Sequence, residues 1–160
     1  PKTERIWWKK INEKERAKAI RSAIAASMMK EVVAERGHLI PNNYPFILDD
    51  KFELMSKTKN IIDALEKLGL GNELARVEEK KVRAGKGKSR GRKYKKKKGP
   101  LMVVSKKDKL SQAATNIPGI EVVEVKSLNA ELLAPGAKAG RLVLWTNAAI
   151  SMMEKENLLK

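Results

Sequence analysis

Gly85-Lys86-Gly87-Lys88-Ser89 contains the Gly-Lys-Ser order with which a phosphate-binding loop holds a nucleotide. That loop needs another glycine five residues before Gly87, where Val82 stands. It also needs a strand before it and a helix after it. No strand is expected before this stretch, and Arg90 to Lys98 offers no helix start. A dinucleotide fingerprint fails as well, because Arg90 takes the place of its third glycine. What remains is charge. From Lys80 to Lys98 the chain carries twelve basic residues in nineteen, and no acid. The other twenty-three Lys and Arg face all nineteen acids, so this run supplies most of the net charge of +16. Such a segment repels itself and builds no core. A polyanion neutralises it, and nucleic-acid phosphates gain affinity by releasing counterions.

The residue types fit that reading. Arg83, Arg90 and Arg92 suit a bidentate grip on phosphate or a guanine edge. Lys86, Lys88, Lys93, Lys95, Lys96, Lys97 and Lys98 add point charge. Gly87 and Gly91, with Ser89 between them, let the backbone approach a phosphate closely. Tyr94, interleaved among lysines, suits stacking on a base. The plainer reading is a solvated loop or a localisation signal; the density of charge and the Gly-Arg interleaving favour contact. A second candidate is the basic N-terminal stretch, where Trp7-Trp8 lie between Arg5 and Lys9-Lys10. Adjacent tryptophans there suit stacking against nucleic acid, or alternatively a ring lying over the first helix or the sheet.

Enzymatic chemistry has little to work with. His38 is the only histidine and, just past a helix end, reads as a cap or surface residue. Asp49 and Asp50 follow a strand, as acids of doubly wound enzymes do, but one of them caps a turn, and the spacing to Glu53 explains Asp50 as that cap. Tyr44 and Phe46 read as core. Met28-Met29 and Met152-Met153 read as core filler. With no cysteine there is no disulfide, thiolate or Cys-based metal site, which fits a reducing cytoplasm. No catalytic group, metal site or cofactor is expected. No apolar run approaches a membrane span, and Pro1-Lys2-Thr3-Glu4-Arg5 lacks the apolar stretch of a signal peptide. The start at Pro1 reads as that of a processed chain or a fragment.

The elements that must hold these residues follow from periodicity. Residues 1–11 form a basic tail. Residues 12–160 form a single α/β domain with an inserted flexible basic loop at about 80–99. Asn12 with Glu15 makes a capping box for a long helix with a stripe at Ala17, Ile20, Ile24, Met28 and Val32, ending at Gly37. A strand is expected at Pro45 to Leu48. A helix through Ile61, Ile62, Leu65 and Leu68 stops at Gly69, and a shorter helix spans Glu73 to Lys81. Strands follow at Leu101 to Val104, Ile120 to Val125 and Leu142 to Trp145. Between them lie a helix from Leu110 to Asn116 and a turn capped by Asn129. A terminal helix through Ala149, Ile150, Met153 and Leu158 begins at Thr146 or Asn147. Four apolar strands separated by helices predict a parallel sheet with helices on both faces, the basic run lying in the crossover between its first two strands.

These stretches resemble the large-subunit ribosomal protein four family in its archaeal and eukaryotic form. Ile11 to Arg16 leading into Arg21-Ser22-Ala23-Ile24-Ala25-Ala26 is similar to the family's central helix, and Val33 to His38 to its end. Val82 to Lys88 with Arg90-Gly91-Arg92-Lys93-Tyr94 is similar to its basic loop. Leu128-Asn129, Leu133 to Gly136 and Ala139 to Leu142 are similar to its late turn and last strand. The resemblance implies a three-layer α/β/α fold with a four-stranded parallel sheet. It implies a structural and assembly role without catalysis, bound to large-subunit ribosomal RNA among neighbouring ribosomal proteins, in the ribosome of the cytoplasm. No membrane or small-molecule substrate is implied. Family members carry a further N-terminal portion with a loop that reaches the peptide exit tunnel; here the expectation is that this portion and the tunnel loop are absent. Lack of the eukaryotic C-terminal extension points to an archaeal origin. The rival reading is a general DNA-binding or chromatin-type basic protein, with the same electrostatics.

Overall fold

The computed structural model describes residues 2–106 and 109–155. Helix α1 spans Glu13–Met28 and α2 spans Lys30–Glu35. The single long helix expected here is therefore broken, at Met29, whose backbone is extended (φ −82°, ψ 110°). The cause lies outside the helix. The Tyr44 hydroxyl donates to the Ser27 carbonyl, which a continued helix would use for its own amide four residues on. Ser27 Oγ also bonds back to the Ile24 carbonyl at 2.7 Å, a contact that bends helices. Asn12 sits at the N-cap, but its side chain makes no capping bond, so the box with Glu15 does not form. The first turn is exposed, so its free amides face solvent. Ala23 and Ser27 are the buried positions of α1, with Ile20 and Ile24 half-buried beside them; Met28 and Met29 are exposed rather than core filler. At the end of α2, His38 N–H reaches the Val33 carbonyl and Gly37 N–H the Ala34 carbonyl, the paired bonds of a Schellman stop.

Strand β1 is Ile47–Leu48. A short 3-10 turn, Asp50–Leu54, leads to α3, Thr58–Lys67, and α4, Gly71–Glu78. The same pair of stop bonds recurs at Gly69 and Leu70. Helix α4 ends three residues earlier than expected, because Lys80–Val82 is strand β2, paired antiparallel with β3, Tyr94–Lys96. Then come β4, Leu101–Val104, α5, Lys109–Thr115, β5, Glu121–Glu124, α6, Ala130–Leu133, β6, Val143–Thr146, and α7, Asn147–Lys155. Asn129 caps α6 by accepting from Leu132 N–H at 2.9 Å, and Thr146 Oγ1 accepts from Ala149 N–H at 3.2 Å at the start of α7. The expected stripe residue Leu158 lies outside the described residues.

Strands β1, β6, β4 and β5 form one sheet in that order, all pairs parallel. Alternation along β4 and β6 sends Met102, Val104 and Leu144 to one face, against α3 and α5, and Leu101, Val103, Val143 and Trp145 to the other, against α1, α6 and α7. The result is the three-layer α/β/α arrangement. Both faces are covered, so β4 and β6 read as unbroken apolar runs. Each fully buried Leu, Ile or Val there stabilises the fold by about 1.5–3 kcal/mol.

Open parallel sheets bind ligands in the crevice outside the carboxyl ends of their strands. Here Glu53 bridges that crevice. Its Oε1 accepts from Ser105 N–H at 2.9 Å and from the Thr146 hydroxyl, and its Oε2 accepts from Ser105 Oγ at 2.6 Å. Glu53 thus ties the ends of β4 and β6 instead of boxing a cap. Asp50 is not a cap for its own turn either: its Oδ1 accepts from Ala148 N–H at 2.6 Å, pinning the first turn of α7.

Candidate nucleic-acid interface

The basic run is a β-hairpin rather than a flexible loop. Lys80 faces Lys96, Lys81 faces Lys95, and Val82 faces Tyr94. Like charges directly opposite one another destabilise a strand pair by roughly 0.2–1 kcal/mol. Arg83 compensates from inside. Its amide donates to the Lys93 carbonyl at 2.8 Å, and its Nε donates to the Arg92 carbonyl at 3.1 Å. The Arg83 side chain lies across Gly87, where a Cβ would come within 2.9 Å of Cδ, so a larger residue there would push the Arg83 side chain aside. At the tip the Gly87 carbonyl accepts the amides of Arg90 (3.3 Å) and Arg92 (3.1 Å), and Ser89 Oγ donates to the Lys86 carbonyl at 2.9 Å. Gly91 has φ +76° in the return turn.

The root of the hairpin is bolted to the body by residues that charge counting overlooked. Glu73, in the first turn of α4, is wholly buried. It accepts from Arg76 Nε (2.7 Å) and Nη2 (2.6 Å), from Leu39 N–H (2.9 Å) and from His38 Nδ1 (2.6 Å). Burial raises the pKa of this carboxyl, but the bonds from Arg76, His38 and Leu39 outweigh it and hold it below the usual carboxylate range. His38 is therefore neither cap nor surface residue; it is buried to satisfy Glu73. Arg76 Nη2 also donates to the Lys98 carbonyl at 3.0 Å, which links this buried cluster to the last residue of the basic run, two past the hairpin. Lys97 pairs with Glu79 at 2.6 Å, and Lys98 pairs with Glu121. The Lys97 bond and the charges of Lys81 and Lys97 lower the pKa of Glu79. Glu121 also holds the buried Arg141 at 2.8 Å; burial raises its pKa, yet the bonds from Lys98 and Arg141 leave it lowered.

Of the residues singled out in the sequence, Arg83, Lys97 and Lys98 thus have inward partners. Lys86, Lys88, Arg90, Arg92, Lys93, Lys95 and Lys96 are exposed, on one continuous ribbon. Tyr94 is half exposed, with Lys93 Nζ 5.5 Å from its ring centre. Beside β3 a cleft of about 440 Å³ opens between Lys96–Lys98 and the end of α5 at Thr115 with the turn after it, at Asn116 and Gly119. Nothing local in the sequence marks Asn116 as a neighbour of Lys96; parallel pairing of β4 with β5 brings the two together. In the N-terminal stretch Trp7 and Trp8 are 77% and 75% exposed, covering neither helix nor sheet, and the Arg5 guanidinium lies 5.0 Å from the Trp7 ring centre. Lys9 and Lys10 beside them are exposed. The arrangement offers fixed cations, two exposed indoles and a phenol, which is chemistry for phosphate contact and base stacking. Among the described residues no group of His, Asp or Glu is arranged to hold a metal ion, and no helix is long and apolar enough to cross a membrane.

Comparison with known proteins converges on one family. The model of the ribosomal protein L4/L1 family matches residues 1–156. The chain is 50% identical to the large ribosomal subunit protein uL4 of Methanococcoides burtonii over 155 residues, 96% of this chain and 61% of that protein. It is 46% identical to uL4 of Methanocaldococcus jannaschii over 97% of this chain and 62% of that protein, and 50% identical to uL4 of Nanoarchaeum equitans over 99% and 59%. The chain therefore spans about 60% of the length of these curated relatives. With the family model matching residues 1–156 and these relatives about half identical over nearly the whole of it, the chain belongs to the ribosomal protein L4/L1 family.

Proposed function

We propose that this chain is the RNA-binding body of a large-subunit ribosomal protein, holding ribosomal RNA in the cytoplasmic ribosome as a structural and assembly component without catalysis. One observation carries the reading: a hairpin is built with lysine opposite lysine at two successive positions, its root braced by Arg76, Glu79 and Glu121. Such a ribbon gains stability when a polyanion enters between its charges. Lys86, Lys88, Arg90, Arg92, Lys93, Lys95 and Lys96 act on phosphates, Tyr94, Trp7 and Trp8 on bases. Arg83 keeps the ribbon in shape instead of contacting RNA with all its donors. Residues 1–11 serve as a basic arm beside the body formed by 12–160. Shape and phosphate pattern matter more than base sequence in such contacts. Glu53 uses its carboxylate to tie the ends of β4 and β6 together, at the edge where a parallel-sheet enzyme would hold its substrate, which fits a role without turnover. Competition at fixed salt between large-subunit ribosomal RNA fragments and duplex DNA of equal length tests the proposal. Preference for the ribosomal RNA is expected; preference for duplex DNA would make this a general DNA-binding protein instead.

A further inference from the structure

The turn Ile117–Pro118 separates two recesses of opposite character. On one side lies the lysine-lined cleft at the hairpin root. On the other, a groove of about 260 Å³ runs between α3 and α4, floored by Ile62, Leu74, Ala75 and Ile117 and rimmed by Glu66 and Glu78. Both glutamates are exposed, and among the described residues neither has a cationic partner. Exposed acids elsewhere among the described residues, such as Glu13 and Glu31, also lack a cationic partner; what sets these two apart is that they flank an apolar recess. By contrast Glu73, Glu79 and Glu121, nearer the hairpin, are each neutralised by lysine or arginine. RNA laid on the groove would bring phosphates against two uncompensated carboxylates and cover an apolar floor with charge.

We infer that the α3–α4 groove docks a basic segment of a neighbouring protein, which places one large apolar side chain between Leu74 and Ile117 and sets its cations against Glu66 and Glu78. This rests on the ribosomal reading above. The recess accommodates one anchor residue, and complementary rim charges fix partner and register more than they add affinity. The molecule then has an RNA side and a protein side, divided by a single turn.

A benzophenone side chain is placed at Ala75 and, separately, at Lys96, in the protein carried by an archaeal host. Large subunits are purified and irradiated. The Ala75 probe is expected to cross-link a peptide in which lysines or arginines flank an apolar residue, and the Lys96 probe to cross-link RNA. Glu66→Lys with Glu78→Lys should reduce the Ala75 cross-link at least about tenfold while leaving entry into the subunit intact. Glu66→Gln with Glu78→Gln, which introduces no repulsion, should reduce it less. If Ala75 cross-links RNA, an acidic segment or nothing, or if charge reversal leaves the yield unchanged, the groove assignment is overturned while the RNA reading stands. If the protein is absent from large subunits, both fall.

Discussion

Replacing Arg76 by methionine should loosen the hairpin from the body and destabilise the fold. The substitution keeps an unbranched chain of similar length but removes the charge and every donor. Lost are two bonds to the Glu73 carboxylate, at 2.7 and 2.6 Å, and the 3.0 Å bond to the Lys98 carbonyl. Stranding a buried charge typically costs about 3–5 kcal/mol. Here Glu73 keeps His38 and the Leu39 amide, and the Arg76 side chain is 18% exposed, so a loss of about 2–3 kcal/mol is expected. In a chain of this size that is a fall in Tm of about 4–12 °C. Urea titration should show a lower midpoint at an unchanged slope. Hydrogen exchange should speed up at Gly99, whose amide is held by the Gly119 carbonyl at the hairpin root. Affinity for ribosomal RNA should fall with the same number of released counterions, because no phosphate-facing cation has been removed. A stability loss below about 0.5 kcal/mol with unchanged exchange at Gly99 would refute the brace.

Two further outcomes follow from the same root. The Glu73 carboxyl has a folded pKa below its unfolded value, so its contribution to stability is present above the ordinary carboxylate range, about pH 4.3, and is lost as pH falls through the folded value. Glu73→Gln should therefore be less stable at neutral pH and show a shallower acid transition; an unchanged acid limb in urea titrations from pH 7 to pH 3 would contradict this. At Gly119 (φ +72°) an added Cβ would fall 1.9 Å from Val77 Cγ1. Gly119→Ala should cost about 1–3 kcal/mol, and Val77→Ala in the same chain should recover part of that by opening space, giving a non-additive double-mutant cycle.

Much of the architecture is legible in the chain because it depends on local rules. Leu101 to Val104 and Leu142 to Trp145 read as strands, the second within one residue of β6, because both faces of the sheet are covered, and Asn129 caps where its spacing says it should. What escapes the sequence depends on residues distant along it. The break at Met29 is set by the hydroxyl of Tyr44, and the burial of His38 by Glu73, thirty-five positions away. Acid spacing suggested a cap at Asp50, whereas Asp50 and Glu53 reach residues about a hundred positions on. The basic run was readable as a phosphate ligand but not as a hairpin. Lysine and glycine predict loop, and the pairing is held by Arg83 donating to carbonyls across the strands and by acids outside the run. The candidate site is thus legible in composition, and its shape is not.

The salt dependence of binding to large-subunit ribosomal RNA tests the central claim most directly. Lys80, Lys86, Lys88, Arg90, Arg92, Lys93, Lys95 and Lys96 are held by no acid or backbone carbonyl among the described residues. If all meet phosphates, the run alone contributes a slope of log K against log salt of about −6 to −7, or three to four decades between about 50 and 200 mM. Replacing Lys86, Lys88, Arg90, Arg92, Lys93 and Lys95 by alanine should flatten the slope by about 4 to 5. A slope near zero, or the same slope in the substituted chain, would contradict the hairpin as the RNA-binding element.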